Sequence, residues 1–478
     1  MIHNKFRILL LLLLVVALGA QGSAQEGYRI EITVEGIADT NLILGFHMGD
    51  RQFIHDSVRV DSRGHGVFEG EERLEEGMYL VILPGNTYIE MIVDRNQHFS
   101  LTTRMDELVL AARFGNSPDN TAFYEYLDFI QATSRKAANV RQQLAGDDLD
   151  EGRRHELNEQ MQGFDQQVAE RQDQYMEDFP DGLFSKILLA QRNPDMSDLA
   201  EQLAEHNDPD FQYYAYRSRF WDHVDFTDQR ILRTPVYHSM LSRYVNQFLV
   251  QVPDTIIREA DRLLEKARAN REIFRYTLWY LTNNAERSQL MGMDAVFVHL
   301  AENYYNTGEA FWMTEEGLER IRSRAERLAP LLIGRVAPDI AGFKAGGESI
   351  SLHDVEADYL VVYFWESDCA HCQAQTPVLK EVYDKYHEQG LNVYALNTET
   401  SHEKWGNAVS NYGLNWINVN DVSNRSGYRE KYDIYAIPTI FILDSEKRII
   451  AKRIGAEQID GFMQFELNRR SRDGATGR

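Results

Sequence analysis

The sequence predicts a multidomain fold with an N-terminal antiparallel β-sandwich-like module, a central all-α module and a C-terminal α/β domain. Three observations support this prediction. Apolar and polar residues alternate from Tyr28 to about Thr103, which is the pattern of half-buried strands. From about Pro118 to Pro330 the apolar spacing becomes helical. From Gly334 short apolar runs alternate with helical stretches, as in domains with helices packed on a sheet.

The composition of the 478-residue chain excludes several classes of protein. With 43% hydrophobic residues the chain can bury more than one core, so it is neither fibrous nor disordered. The 74 acidic and 50 basic residues give a net charge of −24. Because nucleic-acid-binding surfaces are basic, we expect no nucleic-acid partner.

Residues 1–24 have the pattern of a secretory signal peptide. Lys5 and Arg7 precede an apolar stretch from Ile8 to Ala20, and small residues follow it, so we expect cleavage near Ala24. The stretch is shorter than the roughly 18 apolar residues of a membrane span, and an uncleaved anchor is the alternative. We therefore predict a periplasmic or otherwise extracytoplasmic protein with no stable membrane insertion after cleavage.

The predicted boundaries are residues 25–105 for the β module, 106–332 for the helical module and 333–472 for the C-terminal domain. The β module shows no cluster of catalytic groups. In the helical module, aromatic residues crowd between Phe211 and Trp221. Their spacing favours core packing between helices, with a partner-binding groove as the alternative.

Cys369 and Cys372, the only cysteines of the chain, form a CxxC motif directly after the apolar run Tyr359 to Trp365. The run suits a buried strand, and residues 372–389 suit a helix. A helix N-terminus favours a thiolate at the first cysteine, which then attacks, and the second lies close enough to resolve a mixed disulfide. A loop this small adds little stability, so the pair is predicted to be redox-active, with no other cofactor.

The remaining pattern completes the C-terminal domain. Strands are predicted at 349–352, 391–396, 416–419, 436–443 and 447–453, with helices at 402–412, 425–432 and after Gly455. Alternation of strands and helices predicts a mostly parallel sheet with a helix on each face.

These residues resemble the thioredoxin superfamily, in particular its secreted TlpA-like and ResA-like thiol–disulfide oxidoreductases. Four features carry the resemblance, namely the Gly-x-x-Ala-Pro-Asp lead at 334–339, the CxxC after Phe364-Trp365, Pro377 and the Ile437-Pro438-Thr439 segment. The resemblance covers residues 333–472 and implies a thioredoxin fold there. It places Pro438 at the cis-proline of the family, which receives the extended chain of the substrate. The predicted substrate-binding residues are Trp365, His371, Ile437 and Pro438.

Four positions near the motif bear on its chemistry. Tyr363 stands where minimal thioredoxins have a buried aspartate. Glu399 stands where TlpA-like proteins tend to have a glutamate; we predict it as the general base or proton relay for Cys372, with an exposed loop glutamate as the alternative. Asp368 opposes a thiolate and protonated His371 favours one, so reduction, oxidation and isomerisation stay open, with reduction favoured over oxidation.

The predicted function is that of an enzyme, an extracytoplasmic thiol:disulfide oxidoreductase. Its expected partners are protein thiol and disulfide clients and an upstream electron donor or acceptor. One alternative is a module that handles copper or zinc through the two cysteines and a histidine. No second Cys or His pair stands at ligand spacing, so no metal site is predicted. Another alternative is a client-binding assembly protein whose N-terminal modules carry the main function.

Overall fold

The computed structural model describes residues 27–146, 149–199 and 209–476. The chain divides into two compact units, one ending at Tyr244 and the other beginning at Val245. This division falls inside the predicted helical module, and the three predicted domain boundaries stay a prediction. The predicted signal peptide, 1–24, lies outside the described residues. Within the part of the chain that the structure describes, no helix has the length and apolar character that crossing a membrane requires.

Eight strands open the first unit. They are β1 (Tyr28–Glu35), β2 (Asn41–Met48), β3 (Arg51–Arg59), β4 (His65–Gly70), β5 (Gly77–Ile82), β6 (Tyr88–Val93), β7 (His98–Arg104) and β8 (Arg113–Gly115). The strands form two four-stranded sheets, in the orders β4-β1-β7-β8 and β3-β2-β5-β6. Alternate side chains of β1 are fully buried, as the period-two pattern predicts: Ile30, Ile32 and Val34.

Two details of the predicted β module and helical module are wrong. β1 and β7 pair in parallel, so the β module is not purely antiparallel. β8 lies inside the region predicted to be all-α and pairs with β7. The pattern of β3 also gave no strand signal, because β3 is an edge strand whose side chains are mostly exposed on both faces. Without one buried face, a strand shows no alternation.

Helices make up most of what the structure describes in the rest of the first unit. Their bounds are Pro118–Leu144, Glu151–Asp178, Leu183–Ala190, Pro209–Arg219 and Val236–Ser242, with short 3₁₀ turns at Ser197–Leu199 and Gln229–Arg233 and a π-helical turn at Arg243–Phe248 that crosses the boundary between the units. Phe220 and Trp221 are buried and pack against each other and against Tyr244. These two aromatic side chains therefore belong to a helical core.

The second unit begins with four α-helices, Pro253–Ala267, Arg271–Arg287, Asp294–Leu300 and Glu315–Leu328, with a π-helical turn at Ala301–Tyr305 and a 3₁₀ turn at Ala329–Leu331. Pro253 stands in the first turn of its helix, where the missing N–H costs no hydrogen bond. The last of the four helices is called the Arg324 helix below.

Seven strands of the second unit form one sheet. They are β9 (Ala341–Phe343), β10 (Ser349–Ser351), β11 (Tyr359–Trp365), β12 (Leu391–Asn397), β13 (Ile417–Asn420), β14 (Thr439–Asp444) and β15 (Ile449–Lys452), in the order β10-β9-β13-β12-β11-β14-β15. The helices are Ala370–Tyr386, His402–Asn411, Tyr428–Lys431 and Ala456–Thr476, with a 3₁₀ turn at His387–Gln389. The arrangement is the thioredoxin-like α/β fold that the sequence predicts.

The prediction of a mostly parallel sheet is wrong. Among the described pairs, β11 with β12 and β12 with β13 are parallel. The pairs β9–β10, β9–β13, β11–β14 and β14–β15 are antiparallel. A short turn joins β14 to β15, and a chain that returns through a short turn must pair in the opposite direction. Strand and helix alternation does not reveal such a hairpin.

Both faces of β11 are covered, which explains why its sequence is a continuous apolar run. Tyr359, Val361, Tyr363 and Trp365 share one core with the Ala370–Tyr386 helix and the C-terminal helix. Leu360, Val362 and Phe364 share the other core with Tyr428 and Tyr432. All seven residues of the strand are buried. A strand buried on both sides fixes the position of whatever follows its C-terminal end, and here the CxxC motif follows.

Candidate redox site

Cys369 caps the N-terminus of the helix Ala370–Tyr386, which is called the CxxC helix below. Its backbone is extended, and its Sγ accepts a hydrogen bond from the backbone N–H of Cys372 at 3.5 Å. The side chain is half-buried. A sulfur in this position faces the unpaired N–H groups of the first helical turn, which stabilise a negative charge. The geometry therefore suits Cys369 as the attacking thiolate, the role that the sequence predicts.

Cys372 lies one turn further into the CxxC helix and is fully buried. Both thiols are free in the structure. Burial raises the pKa of Cys372 to about 12, and a backbone hydrogen bond from Glu366 opposes the rise. The second sulfur is therefore a neutral thiol at physiological pH, and it needs a base before it can attack.

The loop before β14 faces Cys369. The Ile437–Pro438 peptide bond is cis, and both residues are partly exposed. Cys369 Sγ lies 3.6 Å from the carbonyl oxygen of Ile437 and donates to it as a thiol. The structure thus brings Cys369, Ile437 and Pro438 together, as the sequence predicts, although these residues lie far apart along the chain.

Tyr363 is buried at the position where minimal thioredoxins have an aspartate. Its hydroxyl hydrogen-bonds Thr376 Oγ1 at 2.9 Å, and Thr376 Oγ1 donates to the Cys372 carbonyl at 2.8 Å. Burial raises the pKa of Tyr363, and negative charge on either cysteine adds to the rise. The phenol stays neutral under physiological conditions, so Tyr363 orders the CxxC helix without supplying a base.

Glu399 is buried, so the alternative of an exposed loop glutamate is wrong. Its exposure is 8%, and Oε2 accepts a hydrogen bond from Ser367 Oγ at 2.5 Å. Among the described residues Oε1 has no hydrogen-bond partner. Ser367 lies two residues before Cys369, so the carboxylate contacts the segment that carries Cys369. Oε1 is therefore a buried carboxylate oxygen whose lone pairs are available to accept a proton.

Glu366 is a second carboxylate at the site, and the sequence reasoning missed it. Its Oε1 accepts a hydrogen bond from Thr398 Oγ1 at 2.5 Å, and its charge helps to raise the pKa of Cys372. The sequence feature that could have identified Glu366 is its position directly after Trp365, at the C-terminal end of the central strand. Glu366 therefore acts on the buried sulfur through its charge, whereas the contact of Glu399 is with Ser367, two residues before Cys369.

The charges next to Cys369 are partly balanced at the surface. Asp368 forms an ion pair with Lys404 on the helix His402–Asn411. Both side chains are more than half exposed, and an exposed pair of this kind contributes little stability. The cation offsets the negative charge that would oppose a thiolate at Cys369. The sequence reasoning considered Asp368 alone, because Lys404 follows 35 residues after Cys369 and no local pattern joins them.

The other predicted substrate-binding residues differ in exposure. His371 is exposed beside Cys369 at the surface of the CxxC helix. Trp365 is only 1% exposed and stacks on Tyr363 with ring centroids 6.0 Å apart. Its side chain packs inside the core, away from the surface on which a client chain could lie. Within the described ranges, no group of three or more His, Cys, Asp or Glu side chains is arranged to hold a metal ion.

The chain is similar to known thiol–disulfide proteins over this domain. Residues 333–452 match the AhpC/TSA family. Thiol-disulfide oxidoreductase ResA of Bacillus cereus is 28% identical over 135 residues, which are 28% of this chain and 77% of the relative. ResA of Bacillus subtilis is 26% identical over 117 residues, 24% of this chain and 64% of the relative.

Solved structures also resemble the chain. A domain of a possible thiol-disulfide isomerase from Cytophaga hutchinsonii is 40% identical, with 30% of this chain and 99% of that domain covered and a TM-score of 0.28. A thioredoxin-like protein from Bacteroides caccae is 19% identical, with 54% of this chain and 94% of that protein covered and a TM-score of 0.45.

Proposed function

The chain belongs to the thioredoxin superfamily as a ResA-like thiol–disulfide oxidoreductase, and from that premise we propose that it exchanges disulfides with protein clients outside the cytoplasm through Cys369 and Cys372. One observation carries the proposal: a half-buried sulfur caps a helix and faces the cis Ile437–Pro438 bond, with a second sulfur buried behind it. The redox group is the cysteine pair itself.

The first step is the attack of Cys369 on a client disulfide. The Cys369 thiolate forms a bond to one client sulfur, the client S–S bond breaks, and the other client sulfur leaves as a thiolate that takes up a proton. The helix N-terminus stabilises the attacking charge, and Lys404 offsets the carboxylate of Asp368. The client chain lies extended along the partly exposed Ile437 and Pro438, beside the exposed His371.

The second step releases the client. Cys372 loses its proton, attacks Cys369 Sγ and forms the enzyme disulfide, while the second client sulfur leaves and takes up a proton. Two electrons have then moved from the enzyme to the client. Because burial makes the Cys372 thiol a weak acid, we assign the proton to Glu399, whose Oε1 is buried and has no hydrogen-bond partner among the described residues. Glu366 is the second carboxylate able to take it.

We favour reduction of clients as the physiological direction. In this direction each turnover leaves the enzyme as the Cys369–Cys372 disulfide, so an upstream electron donor must restore the dithiol. The extracytoplasmic location rests on the signal-like residues 1–24.

The proposed function predicts a covalent adduct in the Cys372→Ser variant. Removal of the resolving sulfur should stop the reaction after the first step, so the variant should form a one-to-one mixed disulfide with a defined disulfide-bonded protein such as insulin. Non-reducing electrophoresis and intact mass detect the adduct, and dithiothreitol should release it. The variant that also carries Cys369→Ser is the control. Absence of any adduct with the single variant would overturn the proposal.

The Glu399→Gln variant should change how the second step depends on pH. With Glu399 as the base, the rate at which the mixed disulfide resolves should change little between about pH 6 and 8, because the step does not depend on the small population of free Cys372 thiolate. Without it, the step needs free thiolate, and below the raised pKa of Cys372 the rate should climb about tenfold per pH unit. Rapid quenching followed by mass spectrometry measures this rate.

Glu403→Gln is the matched control, because Glu403 is exposed on the neighbouring helix. It should keep the flat profile. Identical profiles for Glu399→Gln and the unsubstituted chain would remove Glu399 from the relay. A steep profile in Glu366→Gln alone would assign the base to Glu366.

A further inference from the structure

Asp433 is a buried carboxylate at the start of the loop that leads to the cis bond. Its side chain is 0% exposed, and its backbone is left-handed with φ +53°. Asp433 lies five residues before Pro438, so its position sets where this loop begins. A fully buried carboxylate requires charged partners, which therefore constrain the loop.

Arginines from two separate elements surround the Asp433 carboxylate. Arg324 Nη1 donates to both oxygens, at 2.6 Å each, from the Arg324 helix (Glu315–Leu328). Arg453 Nη2 donates to Oδ2 at 2.9 Å from just after β15, and Arg327 Nε lies 4.0 Å from Oδ1. Short bonds between charged groups are the strong ones, so this cluster holds the loop firmly to the helix.

The same helix reaches the exposed part of the loop. The Arg324 guanidinium lies 5.8 Å from the centroid of the Tyr435 ring, and Tyr435 is 75% exposed. Two residues further on, Ile437 presents the carbonyl oxygen that faces Cys369. If Asp433 were displaced, the backbone of Ile437 beside Cys369 would therefore be displaced with it.

We propose that Arg324 is a positioning residue for client binding, which acts through Asp433 to hold residues 433–438 against Cys369. The inference rests on the proposed function. Arg324 lies outside residues 333–452, the part of the chain that matches the AhpC/TSA family. The helix before the thioredoxin-like domain therefore forms part of the redox site, although it carries no redox group.

The test compares a protein client with a small disulfide in the full-length chain. Arg324→Met and Asp433→Asn should lower kcat/KM for insulin reduction on the order of tenfold or more, chiefly through KM, because the docking edge is misplaced. Reaction with a small aromatic disulfide such as DTNB, which needs no docking edge, should stay within about twofold. Arg324→Lys, which keeps the charge, should restore part of the loss. Arg453 still binds Asp433 in Arg324→Met, so the loop keeps one ionic partner.

Arg322→Met is the matched control. Arg322 lies on the same helix, and among the described residues its ion pairs are with Glu319 and Glu315 of that helix, at 2.5 and 4.0 Å. The Arg322→Met variant should reduce insulin at the same rate as the unsubstituted chain. The inference is overturned if Arg324→Met matches Arg322→Met on insulin, or if it loses activity equally toward insulin and DTNB. If the unsubstituted chain does not reduce insulin at all, the proposed function fails, which is a separate result.

Discussion

Cys369→Ser should reduce the catalysed rate of insulin reduction to the background rate of the reductant alone. A serine hydroxyl is not ionised near neutral pH and cannot replace a thiolate as the attacking group. Cys372 cannot take over, because its side chain is fully buried and burial raises its pKa to about 12. The measurement is insulin precipitation with a limiting dithiol donor, followed over time.

Cys372→Ser is the comparison that separates the two sulfurs. It keeps Cys369, so each enzyme molecule should react with one client disulfide and stop at the mixed disulfide, whereas Cys369→Ser should form no adduct. Retained multiple turnover in Cys369→Ser would show that the chemistry takes place elsewhere in the chain. Far-ultraviolet circular dichroism checks that both variants keep their secondary structure.

Phe364→Ala should destabilise the redox domain by about 3–5 kcal/mol, the usual cost of removing a buried phenylalanine. Phe364 is fully buried in β11, and its ring packs against Tyr428, Tyr432 and Phe441 with centroids 5.1 to 6.4 Å apart. Hydrogen exchange of β11 amides, measured by mass spectrometry, should accelerate by roughly 10² to 10⁴-fold, since 1.4 kcal/mol corresponds to a factor of ten.

Phe465→Ala provides the control with the same substitution. Phe465 lies on the C-terminal helix and is 64% exposed. Its loss should change stability by no more than about 0.5 kcal/mol and leave exchange in β11 nearly unchanged. Equal acceleration in both variants would contradict the assignment of Phe364 to the core of the redox domain.

Local patterns in the sequence were enough to place the central part of the site. The apolar run from Tyr359 to Trp365 predicts β11 without error, because both of its faces are buried and the residue types are decisive. The cap at Cys369 follows from a strand that ends where a helix begins. The resemblance to the thioredoxin superfamily adds the position of Pro438, whose peptide bond is cis in the structure.

Contacts between distant residues were not predictable. Arg324 and Asp433 are 109 positions apart, and arginine on a charged helix usually indicates a solvated face. Lys404 beside Asp368 is a similar case. The direction of strand pairing was not predictable from the sequence either, because a buried strand is apolar whether its neighbours run parallel or antiparallel to it. A single sequence shows which residues are apolar, but it does not show which helices and strands pack against each other.

The buried position of Cys372 affects how the cysteine pair responds to oxidation by peroxide. A peroxide that reaches the half-exposed Cys369 converts it to a sulfenic acid. Cys372 lies directly behind it and can condense with the sulfenic acid, which forms the Cys369–Cys372 disulfide and releases water. The oxidised Cys369 thus enters the disulfide state of the proposed catalytic cycle before irreversible oxidation sets in.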